Sequence, residues 1–271
     1  FVVIVFLVAP TLIVIPIAFT TSQFLEFPPP GFGLRWFETY FSSPLWVSAT
    51  IRSFLVAGAT AVAATIIGGL AALALARSNS RWNGAIFAFF LAPMIVPRIV
   101  IAVGLFYLFA QLGLVASDLG LVIGHTVLAI PFTLVTIAAV LKSYDTRLDQ
   151  AAATLGANRL RTLFLITVPL VKGGLIAAFL FAFITSFDEL TIAIFVSGGV
   201  KTTLPKQMWD DMILQLNPTL AAVSVVVFVI VTALLLVAEQ FRRRPFLWDN
   251  YPVNDGPRMS QHLHLRAFTG R

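Results

Sequence analysis

Six long, nearly charge-free stretches divide this chain, at about 1–19, 46–76, 85–110, 119–141, 173–196 and 217–238. Each meets or approaches the roughly 20 apolar residues needed to cross a bilayer as a helix. That restricts the fold severely. A backbone segment in hydrocarbon must satisfy its own hydrogen bonds, so the expected class is an all-α integral membrane protein with six transmembrane helices. Composition agrees: 59% of residues are hydrophobic and 11% charged, where a soluble domain is about one quarter charged. The second stretch is long enough to tilt or to extend past the membrane. The absence of cysteine in the sequence excludes disulfides and Cys-ligated metals.

Orientation follows from the basic residues. If the N-terminus is cytoplasmic, thirteen Lys and Arg fall in inside segments and three, Arg35, Lys201 and Lys206, fall outside. The other two, Arg52 and Arg98, lie within spans. This is a positive-inside distribution and places both termini in the cytoplasm. The high pI therefore reports membrane topology, and the dispersed basic residues do not suggest nucleic-acid binding. The chain opens at Phe1 without Met or a basic leader, so residues are expected to precede it. Residues 1–19 lack the charged region and cleavage site of a signal peptide and are read as the first span. Residues 1–241 then form one transmembrane domain, and 242–271 a loose cytoplasmic tail.

Between the fourth and fifth spans lies a polar island, KSYDTRLDQAAATLGANRLRTLFLITVPLVK, at 142–172. Its charges cannot sit in hydrocarbon. Thr146 and Asp149 have the spacing of a capping box, so a short helix is expected from Arg147 to Leu155. Gly156 can stop it in a left-handed conformation. A second short helix is expected over 158–165, limited by Pro169. Leu148, Ala151, Ala152 and Leu155 share helical spacing and form a small apolar ridge. Such a ridge suits either a groove on a soluble partner or the lipid headgroups.

Elsewhere, Pro28-Pro29-Pro30-Gly31 breaks regular structure, and a short interfacial helix is expected over 34–41, anchored by Trp36, Phe37, Tyr40 and Phe41. Gly68, Ala72 and Ala76, with Ala57 and Ala61, allow close helix approach on the second span. Pro93 and Pro97 interrupt the third span and Pro131 the fourth. Another short helix is expected over 204–216. Asn217-Pro218 reads as a helix start.

Five ionisable residues fall inside spans: Arg52, Arg98, His125, Asp188 and Glu189. Buried charges in membranes face a bundle interior or water. At about 1.5 Å per residue, Arg52, Arg98, His125 and Asp188 all reach the outer half of the bilayer. They are candidates for a substrate pathway, with Tyr107 as a possible cation–π partner. The alternatives are an internal ion pair of Arg98 with Asp188 or Glu189, a packed and hydrogen-bonded His125, and an Arg52 that snorkels outward. Of the two acids, Glu189 is expected to be the functional one and Asp188 the structural one.

The island also resembles the "EAA" loop of ABC-importer permease subunits, written E-A-A-x-x-x-G, nine residues, then I-x-L-P. Here Gln150-Ala151-Ala152 leads to Gly156-Ala157, and Ile166-Thr167-Val168-Pro169 follows at that spacing. Gln150 stands for the usual Glu and Val168 for the usual Leu. Ser186-Phe187-Asp188-Glu189-Leu190 and the stretch PPPGFGLRWFETYF resemble the spermidine/putrescine-type members. The resemblance implies a type I ABC importer of the bacterial inner membrane, with a polyamine as the favoured cargo. It implies that Gln150, Ala151, Ala152, Gly156, Ala157, Ile166 and Pro169 couple the chain to a cytoplasmic ATPase dimer. It further implies a second, related but non-identical permease subunit and an external solute-binding protein. The sequence has no Gly-Lys-Ser/Thr phosphate loop, so no cofactor is expected on this chain, and ATP and Mg belong to the partner. An ion-coupled secondary transporter is the alternative, with His125, Asp188 and Glu189 as proton-coupling groups. A membrane enzyme is a weaker third, since no metal triad or nucleophile motif occurs.

Overall fold

The computed structural model describes residues 12–199 and 201–243. Most of the first expected span, and the tail beyond residue 243, lie outside them. The described residues are helical with two isolated β-bridges and no strand. The helices are α1 (Arg35–Ser42), α2 (Pro44–Arg77), α3 (Asn83–Ile95), α4 (Arg98–Leu112), α5 (Asp118–Lys142), α6 (Arg147–Thr154), α7 (Arg159–Leu170), α8 (Lys172–Phe187), α9 (Thr191–Val196), α10 (Leu204–Leu214) and α11 (Thr219–Arg243). Three of them, α2, α5 and α11, are long and apolar enough to cross a membrane unaided. Two further spans result if the bent pairs α3–α4 and α7–α8 each count as one, giving three to five among the described residues.

The core is a three-helix seam of α2, α5 and α8 built from small side chains. Ala61 and Ala64 of α2, Ala129 of α5 and Ala182 of α8 are fully buried together. Close approach is tightest at Gly68, where an added Cβ would sit 2.1 Å from Thr133 Oγ1 and 2.9 Å from the Leu134 nitrogen. Thr133 uses that proximity to donate to the Ala64 carbonyl at 2.8 Å. Helices in lipid gain little from apolar burial against each other, so packing of small residues and shared hydrogen bonds must hold them. Of the expected small-residue positions, Ala57, Ala61, Gly68 and Ala72 enter the core, while Ala76 stays exposed.

The breaks have local causes. Pro97 disfavours helical geometry at the residue before it, and Val96 is extended at φ −75°, ψ 132°. The chain turns by 99° there. Pro93, in contrast, lies inside α3 without ending it. The fifth span, expected to be continuous over 173–196, is instead interrupted: α8 ends at Phe187, and α9 starts at Thr191. Asp188 and Glu189 therefore sit in a break, not on a helix face. The second short helix of the island runs farther than expected, to Leu170, through a π turn at Leu163–Thr167. Pro169 comes two residues after that turn, next to the last residue of α7. The direction changes by 76° between α7 and α8.

The caps and short helices largely follow the sequence. Ser117 accepts from the Gly120 nitrogen at 3.0 Å to start α5, and Asn217 accepts from the Thr219 nitrogen at 2.9 Å to start α11. In α1, Trp36 and Tyr40 turn inward and are buried, whereas Phe41 is exposed, so half of the expected interfacial anchors serve internal packing.

Candidate functional site: two arginine-centred nodes

The polar residues gather in two places, one at each part of the bundle. The first lies where α2 ends beside the island. Helix α6 stops at Gly156, whose φ is +81°. The Ala157 nitrogen bonds to the Ala152 carbonyl at 3.0 Å, the long-range bond of a glycine-terminated helix. The capping box does not form: Thr146 makes no side-chain cap. Asp149 is drawn elsewhere. Its Oδ2 accepts from Arg77 Nη2 at 2.7 Å, and its Oδ1 accepts from the Tyr144 hydroxyl at 2.6 Å. The same Arg77 nitrogen donates to Thr167 Oγ1 in the π turn at 3.2 Å. Burial and the acceptor Asp149 push the Tyr144 phenol above its ordinary pKa. A cavity of about 360 Å³ opens beside this node, lined by Arg77, Asp149, Ala153, Ala157, Arg159 and Thr162.

The expected apolar ridge is only partly a surface. Leu148, Ala151 and Leu155 are exposed, but Ala152 is turned inward at 5% exposure. The outward apolar surface is extended instead by Leu160, Phe164 and Leu165 of α7. Leu155 is the extreme case, 88% exposed. Gln150 is exposed, and Ile166 and Pro169 are half-buried.

The second node lies where the two broken spans meet. Arg98, first residue of α4, reaches Glu189 in the α8–α9 break, with Nη1 to Oε2 at 3.3 Å. Glu189 is 1% exposed, and its Oε1 also accepts from the Ile192 nitrogen at 3.0 Å. One buried carboxylate thus meets the exposed Arg98 and starts α9. One turn earlier, Ser186 Oγ lies 2.8 Å from Nδ1 of the buried His125. Sequence depth brought Arg98, His125 and the acids to one level, and the structure forms two pairs at the end of α8, Arg98 with Glu189 and His125 with Ser186. Of the two acids, Glu189 is the buried one that pairs with Arg98, and Asp188 is exposed. Asp188 borders an apolar cavity of about 940 Å³ with Phe183, Phe187, Trp209 and Phe228 in its wall. Tyr107 is not part of the node; it is 68% exposed on α4 and meets the Phe106 ring. Arg52 does not simply snorkel, because it pairs with Asp118 at the start of α5.

Sequence reading missed Asp149 as the partner of Arg77 and Glu189 as a helix cap. The signal for the first was present: an arginine closing a span and a carboxylate opening the next polar helix. Their 72-residue separation hides it. Among the described residues no His, Asp or Glu cluster has the arrangement of a metal site.

Comparison with known proteins fits this architecture. Residues 64–246 match the family described as binding-protein-dependent transport system inner membrane component. The spermidine/putrescine transport system permease protein PotC of Haemophilus influenzae is 30% identical over 90% of this chain and 95% of that protein. The putrescine transport system permease protein PotI of Escherichia coli strain K12 is 31% identical over 82% of this chain and 81% of its own length. Solved structures share the fold at low identity. A chain of a bacterial ABC transporter that imports the acidic polysaccharide alginate superposes with TM-score 0.69, at 15% identity, over 89% of this chain and 92% of that one. A chain of the MetNI methionine ABC transporter gives 0.61 at 18% identity, over 73% and 95%. The apolar helices, the family match and the extent of the relatives agree: this chain belongs to the binding-protein-dependent inner membrane component family, the multi-pass permease subunits of type I ABC importers.

Proposed function

We propose that the chain is one of two permease subunits of an ATP-driven importer that carries a polyamine across the bacterial inner membrane. In this reading it has six spans and cytoplasmic termini. Residues 142–172 form a cytoplasmic loop that docks into a dimer of ATPase subunits, which hold the ATP and Mg. Gln150, Ala151, Ala152, Gly156, Ala157, Ile166 and Pro169 build that loop. A related second permease completes the pathway, and an external binding protein delivers the solute.

The observation that carries the reading is the loop itself. Two short helices are separated by a left-handed glycine, with Leu155, Leu160, Phe164 and Leu165 left exposed. Exposed apolar side chains on a charged segment favour a protein partner. Ala152 supports the loop from within, and Leu148, Ala151 and Leu155 offer the contact face. Alternating access then consists of rigid helices switching between two arrangements as the ATPase closes and opens.

Polyamine as cargo rests on the names of the curated relatives and on Asp188. The structural neighbours carry an acidic polysaccharide and methionine, so the fold does not choose a solute. Asp188, beside aromatic rings in an apolar wall, has the chemistry to meet an ammonium group by charge and cation–π contact. Arg98, His125 and Glu189 act behind it as the frame of the pathway, and Tyr107 contributes only if a partner subunit covers it. Uptake of labelled putrescine by proteoliposomes holding both permeases, the ATPase and the binding protein tests this. ATP-dependent uptake is expected. Uptake by the isolated chain driven by an ion gradient alone would instead establish the secondary-transporter reading.

A further inference from the structure

Resting on the coupling reading above, we infer that Arg77 is a positioning residue that latches the loop to α2, so that α2 serves as the rod carrying loop displacement across the bundle. The first observation is the convergence on one side chain. Arg77 binds Asp149 on α6 at 2.7 Å and Thr167 in the π turn of α7 at 3.2 Å. Tyr144, in the link between α5 and α6, holds the other oxygen of Asp149. Both short helices of the loop and its entry strand of chain are thereby tied to the last residue of α2. The π turn is what brings Thr167, 1% exposed, to face the guanidinium; such turns recur at functional sites.

The second observation is the character of the helix at the other side of the latch. Helix α2 is unbroken for 34 residues, about 51 Å at helical rise. The covalent route out of the loop bends by 76° between α7 and α8, and α8 is interrupted again at Asp188. The α3–α4 span bends by 99°. Among the described residues two unbroken helices reach the loop, α5 through its covalent link at 143–146 and α2 through the Arg77 bonds, and α2 is the longer of the two. Toward the other end of α2, Ser53 Oγ accepts from the Leu204 nitrogen at 2.7 Å, fastening α10, and Arg52 pairs with Asp118 of α5. A stiff element held at both ends by directed bonds transmits a displacement that a jointed one absorbs. Spatial continuity alone is not coupling, so the claim stands on a measurement.

The test uses the whole importer in proteoliposomes and reads ATP hydrolysed per solute taken up. Arg77→Ala and Asp149→Asn should each raise that ratio by about fivefold or more, the lower range of a typical coupling free energy. The effect of the double variant should fall well short of the sum of the two single ones, because both remove the shared Arg77–Asp149 contact. Thr167→Val should give a smaller rise. The native sequence has no cysteine, which permits a second arm. In an Arg77→Cys/Asp149→Cys chain, a bismaleimide bridge should restore the native ratio, since the latch moves as one body. This arm applies also if Arg77→Ala fails to assemble. Unchanged ratios in both single variants, additive effects in the double, or loss of uptake on bridging would each overturn the latch. The underlying reading fails differently: Gly156→Val and Ala151→Glu would then leave the ratio unchanged as well.

Discussion

The nodes around Arg77 and Arg98 are built from the same parts and differ in what surrounds them. Each pairs an arginine with one carboxylate that takes a second hydrogen bond. At Arg98 the carboxylate belongs to Glu189, sealed at 1% exposure in a break between two helix segments. At Arg77 it belongs to Asp149, 22% exposed on α6 of the proposed coupling loop. A buried ion removed from its partner retains its desolvation cost, whereas a partly wet one is rescued by water. The first node therefore holds the fold together. The second is the weaker node, which suits the moving part that the coupling reading proposes.

This contrast orders the expected effects. The largest is Arg98→Ala, which strands Glu189. Breaking a buried pair costs about 3–5 kcal/mol, less here because the Arg98 side chain is 54% exposed. Complex yield should fall sharply, and adding Glu189→Gln should recover part of it. Full yield from Arg98→Ala would show that this node is no more structural than the other. Next comes Asp188→Asn. If Asp188 meets the cargo ammonium, one charge-assisted bond of about 1.5–3 kcal/mol is lost, so uptake should drop by roughly tenfold or more at normal yield. A drop in yield without a specific loss of uptake would move Asp188 to the structural side. Gly156→Val forces a β-branched residue to φ +81°, a strain of about 1–2 kcal/mol. Since a Cβ there meets open space, the cost falls on loop geometry and should appear as uncoupling. The smallest effect is Tyr144→Phe, which removes one hydrogen bond from Asp149 while Arg77 stays. A loss of about 1 kcal/mol or less is expected, seen as a modest rise in ATP consumed per solute. An effect equal to that of Arg77→Ala would make Tyr144, not Arg77, the principal tie.

Much of this fold was legible because bilayer physics writes it into periodicity and charge. The limits of α2 and α5 fell within two residues of the expected apolar stretches at each end, and Gly68 was identifiable as a seam residue. The loop was legible from Gly156 and its flanking spacing. What stayed hidden depends on tertiary pairing. Nothing local separates Asp188 from Glu189; only the packing of α9 against α4 sends one carboxylate inward to Arg98. Asp149 looked like the far end of a capping box until Arg77 outcompeted Thr146 for it. Ala152 looked like Ala151 because a short apolar ridge on a short helix does not say which edge faces its own chain. Of the two expected spans that broke, only one carried a visible warning, Pro97. The fifth break has no Pro or Gly beside it; there Glu189 caps α9 through the Ile192 nitrogen while its other oxygen is held by the distant Arg98.

The central claim is that the loop at 142–172 is where the membrane helices take up motion from an ATPase. The most direct measurement is the number of ATP molecules hydrolysed per solute imported by reconstituted importers bearing native chain or Gly156→Val, prepared at equal complex yield. The account predicts that the variant retains ATP hydrolysis stimulated by the loaded binding protein while the ratio rises several-fold, on the order of the 1–2 kcal/mol of strain introduced at that residue. An unchanged ratio, with native uptake and native hydrolysis, would contradict it.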